Sequence, residues 1–101
     1  MNTIFSDRQL SHIIDQSLFF ECECSAQVAR QIISLRDLYA FQQDCGEQNS
    51  TDRAVHQRIT TDTQQAHTLM EACLNSILIL ENWNLETLTL PTSSQETPQS
   101  N

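Results

Sequence analysis

The chain contains no lysine, a single glycine (Gly46), and two prolines (Pro91 and Pro98) that both lie in its last eleven residues. Each shortage excludes something. Sheet proteins need Gly, Pro, Asn and Asp at frequent turns, so a chain with almost no Gly or Pro before residue 84 is read as helices with few connections. One glycine leaves the backbone almost no means of cradling a phosphate, and no P-loop, G-x-G-x-x-G or G-x-S-x-G motif is present. The few aromatic residues, 6% of the chain, argue against a pocket for a large cofactor, and none is expected. Long apolar runs are also missing. The longest fully aliphatic run is Ile77-Leu78-Ile79-Leu80, far short of a membrane span.

Cations are scarce as well. Five arginines face thirteen acids, giving a formal charge of −8. Nucleic-acid binding depends mainly on neutralising phosphates, so this balance excludes it, and anionic membrane surfaces are disfavoured on the same ground. A basic protein partner remains compatible. The segment Met1–Asp7 has neither a basic n-region nor an apolar h-region, so no secretory signal is read there and a cytoplasmic location is expected. The four cysteines are then expected as thiols rather than disulfides.

What is present is helical periodicity. Ser6-Asp7-Arg8-Gln9 has the form of a capping box, with Phe5 placed as a hydrophobic staple, and Leu10, Ile13, Ile14 and Leu18 follow at helical spacing. This predicts a first helix over about 7–20. Ser25 is a ready cap for a second, over about 25–45, with the stripe Val28, Ile32, Leu35 and Tyr39 and with Gly46 as a left-handed C′ residue. The stripe can be drawn without a break through both helices. Glu21 would then sit on the apolar face, which favours a break at 21–24. Ser50 or Thr51 can cap a third helix running to Trp83, with Val55, Ile59, Thr63, Ala66, Met70, Cys73, Ile77 and Leu80 as its stripe. The weak helix propensity of Thr60–Thr63 allows a kink there. The expected fold is an all-α small bundle built on an antiparallel hairpin. Residues 1–84 form one domain and 85–101 a disordered tail.

Catalytic groups do not assemble in this reading. His56 and His67 stand about 16 Å apart on one helix, and no E-x-x-H pair occurs. Glu21 and Glu23 point about 200° apart on a helix, a poor arrangement for paired acid–base work. An enzyme is not expected. In the hairpin, Cys24 or Cys22 comes level with Cys73, while Cys45 lies about 30 Å away. A four-thiol metal site is thereby excluded and a cluster of Cys22, Cys24 and Cys73 stays open. C-x-C is nonetheless a weak zinc spacing, and a small buried cysteine serves equally well as core.

The end of the third helix carries more information. Near residues 77–83 it is apolar on nearly all sides, more than one packed neighbour covers. Ile79, Leu80, Trp83 and Leu85 are therefore the candidate partner-binding or dimer-interface residues. The expectation is a non-enzymatic, acidic protein–protein interaction module (an adaptor, regulator or chaperone-like protein), acting as a homodimer or with a protein partner. Two alternatives stand beside it: a thiol-based redox or metal sensor using Cys22, Cys24 and Cys73, and an acidic mimic of nucleic acid. The mimic ranks last because Gln and Thr interleave the acids.

Overall fold

Ser6 starts the first helix. Its hydroxyl accepts the Gln9 amide at 3.0 Å, and the Gln9 side chain accepts the Ser6 amide at 2.8 Å, so two otherwise orphaned N–H groups are satisfied reciprocally. The computed structural model describes residues 1–19, 23–46 and 48–91. Within them lie α1 (Asp7–Ser17), α2 (Cys24–Asp44) and α3 (Ser50–Leu80). The fold is an all-α bundle in which α1 and α3 each pack on α2. Because residues 45–49 join α2 to α3 so briefly, those two form the antiparallel hairpin. The molecule is elongated, 63 × 21 × 18 Å.

Several local details differ from the sequence reading. Helix α1 ends at Ser17 rather than near residue 20, with the Leu18 and Phe19 amides bonding back to the Asp15 and Gln16 carbonyls at 3.2 Å each, and α2 starts at Cys24. Of the expected break at 21–24, residues 21 and 22 lie outside the described residues. Ser25 does not cap α2. It is buried, and its hydroxyl lies 3.0 Å from that of Ser17. Ser17 already donates its single proton to the Ile13 carbonyl, so Ser25 is the donor of this pair, which ties α1 to α2 beside their connection. Gly46 is not left-handed. Cys45 leaves α2 in extended backbone (φ −76°, ψ 129°), so the chain exits without the tight reversal that requires a C′ glycine. At the start of α3 the cap is Asn49 rather than Ser50 or Thr51. Its side chain accepts the Asp52 amide at 2.9 Å, and Asp52 in turn accepts the Gln48 amide at 3.0 Å. Thr60–Thr63 lie inside α3, which runs as one helix to Leu80.

The third helix ends in a Schellman motif. The Trp83 amide reaches the Leu78 carbonyl at 2.9 Å and the Asn82 amide the Ile79 carbonyl at 3.1 Å, with Asn82 left-handed at φ 62°. Leu78 and Trp83, at the two positions that frame this motif, both belong to the core. Residues 84–90, of which 85–90 belong to the expected tail, make a second tight turn. Asn84 Oδ1 accepts the Glu86 and Thr87 amides, and the Asn84 amide meets the Thr89 carbonyl at 2.8 Å. That turn carries Leu88 into the core and sets Leu90 against it. The rest of the expected tail, 92–101, lies outside the described residues.

The core gathers Phe5, Leu10, Ile13, Ala29, Ile32, Leu74, Leu78, Trp83 and Leu88. Every helix and both flanking segments contribute to it. It occupies one end of the molecule only: among the described residues from Ile33 to Asp62, none is buried. That stretch is a two-helix arm projecting about 20 Å beyond the core, from the rise of α3 over residues 50–62.

Candidate functional site

The buried face of α3 is not the stripe that periodicity predicts. Thr63 is buried as predicted, but beyond it His67, Glu71, Leu74 and Leu78 are buried in place of Ala66, Met70, Cys73 and Ile77, a rotation of one residue. The rotation puts an imidazole and a carboxylate inside the protein. Burying a charge is costly unless it is paired and hydrogen-bonded, so partners are required.

Arg36, from α2, supplies most of them. Its Nη2 donates to Glu71 Oε2 at 2.9 Å and to the Phe5 carbonyl at 2.6 Å, its Nη1 to Asp7, and its Nε to His67 Nε2 at 3.0 Å. Glu71 Oε2 also accepts the Ile4 and Phe5 amides, at 2.8 and 3.0 Å. The cluster therefore clamps the segment before α1 onto both α2 and α3. Only 2% of the Glu71 side chain is exposed. Because Arg36 donates to Nε2, neutral His67 carries its proton on Nδ1. Nδ1 stands 3.7 Å from Glu71 Oε1, too far for a hydrogen bond, and is buried without a partner. Burial lowers the His67 pKa below its usual value. Glu71 pulls it back up in part, while Arg36 and the N-terminal amine lower it further. His67 and Glu71 face inward and Arg36 is mostly covered, and their hydrogen bonds hold elements together, while Asp7 joins from the exposed rim.

The candidate thiol cluster of Cys22, Cys24 and Cys73 falls only in part within the described residues. Cys24 and Cys73 are exposed, Cys45 is half-buried, and Cys22 lies outside the described residues. Among the described residues no group of three His, Cys, Asp or Glu side chains could hold a metal ion. His12 is half-buried on α1, and His56 is half-buried in the arm.

The interface candidates divide. Trp83 is core, 5% exposed, with its indole N–H donating to Glu81 at 2.8 Å. Ile79, Leu80 and Leu85 face solvent, Leu80 at 82%. Leu18 and Phe19, after α1, are exposed as well, Phe19 at 79%. In an antiparallel hairpin the start of α2 lies beside the end of α3. The α1–α2 connection and the Ile79–Leu85 segment are therefore at the same end of the bundle. Sequence reasoning placed Leu18 on the buried stripe of the first helix. Ser17 takes that place instead, which turns Leu18 outward.

A second exposed apolar group, also unforeseen, lies on the arm: Leu38 and Phe41 of α2 and Val55 of α3. No helix of the structure is long and apolar enough to cross a membrane, among the described residues. Comparison of the chain with protein-family models, curated proteins and solved structures returns no match.

Proposed function

We propose that this protein is a non-enzymatic, acidic protein–protein interaction module that dimerises through the end of the bundle carrying Leu18, Phe19, Ile79, Leu80 and Leu85. The observation that carries the reading is the exposure of Leu80 and Phe19 at one end of the molecule. Single exposed apolar residues are ordinary, but large ones concentrated on one surface mark interaction sites. The polar chemistry points the same way: the most elaborate side-chain cluster, Arg36–His67–Glu71, faces inward and fastens helices rather than lining a cleft.

Sedimentation analysis over a concentration series tests the reading. The wild type is expected to dimerise, and Leu80→Ser combined with Ile79→Ser to be monomeric with unchanged helicity. Two chains of net charge −8 repel, so salt is expected to strengthen this dimer. A wild type that stays monomeric at every concentration and salt removes the dimer. An unaltered dimer in the double variant moves the interface elsewhere.

A further inference from the structure

The arm raises a separate question. Its two helices meet along a seam of half-buried residues that includes Leu35, Tyr39, Gln42, His56 and Ile59. Helical spacing and the antiparallel arrangement put Leu38 and Phe41 on one side of that seam together with Val55. The opposite side is a groove lined by Gln42, Gln43, His56, Gln57, Thr60 and Thr61, and is polar. So the arm has one apolar face and one polar face, and the apolar one is open, with Phe41 64% exposed.

Charge says what covers that face. Asp37 and Asp44 flank Phe41 at i−4 and i+3, on the same outer side of α2. Both are exposed, and among the described residues neither forms an ion pair. Of the cations on or beside the arm, Arg36 is held in the buried cluster and Arg58 pairs with Asp62 at 2.7 Å, while Arg53 is exposed at the start of α3. A second copy of this chain would bring thirteen acids against five arginines, a net charge of −8, to the contact. We infer that the Leu38–Phe41–Val55 face of the arm takes a basic amphipathic helix from a partner protein. The apolar ridge of that helix lies over Phe41, and its Lys or Arg residues sit against Asp37 and Asp44. The bound helix completes a three-helix layer over the arm, where the chain itself supplies only two. This inference rests on the interaction-module reading and uses a surface separate from the proposed dimer end.

The test uses the full chain and a fluorescent 18-residue Leu/Lys amphipathic peptide, with a Leu/Glu peptide of the same apolar pattern as control. Anisotropy is expected to report binding of the Leu/Lys peptide alone, weakening as salt rises, opposite in sign to the dimer. Phe41→Ala is expected to weaken binding about tenfold, and Asp37→Asn with Asp44→Asn by a similar factor. All three side chains are exposed, so circular dichroism should stay unchanged. Leu80→Ser should leave peptide binding intact. Binding that ignores the Phe41 and aspartate changes overturns the proposal, as does equal binding of the Leu/Glu peptide. If binding is lost instead in Leu80→Ser, the arm is discarded while the module reading stands. A dimer abolished by Phe41→Ala assigns the face to a second copy and also overturns the proposal. Absence of both dimer and peptide binding discards both readings.

Discussion

Arg36 and Glu71 meet at 2.9 Å, and around that contact the segment before α1, α2 and α3 are held together. Residues 35 positions apart along the chain thus form the ionic joint between the core and the arm. Removing one partner of a buried pair leaves the other uncompensated. Glu71→Ala is expected to cost about 3–5 kcal/mol in chemical denaturation, since Arg36 and the Ile4 and Phe5 amides all lose an acceptor. Glu71→Gln keeps an acceptor oxygen and should cost less. Equal stability of Glu71→Ala and wild type would show that the carboxylate does not hold these groups.

His67 predicts a pH response. Its pKa is lowered in the folded state, so the unfolded chain binds the proton more readily. Stability from this group is therefore full above about pH 6.5, its ordinary value, and declines as pH falls toward the folded value. Protonation would also remove the acceptor for Arg36 Nε. Urea midpoints measured from pH 8 downward should fall more steeply in wild type than in His67→Gln. Parallel curves would contradict the assignment. Nitrogen chemical shifts of the imidazole should report the Nδ1–H tautomer.

Asn82 is left-handed at the end of α3, and an alanine there must adopt the same φ. Asn82→Ala is expected to lose about 1 kcal/mol, while Asn82→Gly, which enters this region without strain, should hold the thermal midpoint or raise it. A fall with glycine matching that with alanine would argue against the Schellman turn.

Trp83 is expected to behave as core. Trp83→Ala should cost about 3–5 kcal/mol and lower helicity, whereas Leu80→Ser, three residues earlier, should change stability little. Trp83→Ala that keeps wild-type stability while losing association would place the indole at an interface.

Much of the architecture was legible from short-range signals. Ser6 and Gln9 marked the first helix start, and the scarcity of Gly and Pro gave the helical class. What periodicity missed has a common physical origin. His67 and Glu71 read as surface residues because both are polar, and only Arg36 and the Ile4 and Phe5 amides make their burial affordable. Those partners lie 31 to 67 positions away, beyond the reach of any window along the sequence. The error then propagated: rotating the buried stripe onto His67 and Glu71 turned Leu80 outward. Trp83 reads as an interface residue because residues 77–83 are apolar on nearly all sides. The signal for its return was Asn82, a residue that favours the left-handed C′ position. Phe41 lies between two aspartates and off the Leu35–Tyr39 stripe, so periodicity gives no reason to expect it on an apolar face.

Phe5 and Leu88 share one core, and the residues between them make up most of the chain. A ribosome-bound chain that has released only α1 and α2 lacks Leu74, Leu78, Trp83 and Leu88, along with the Glu71 acceptor for its first amides. Its early helices must wait, with Phe5, Leu10 and Ile13 unsheltered, until the turn at residues 84–90 has emerged. Synthesis of this protein therefore passes through a long interval in which local helix can form but the tertiary structure cannot close.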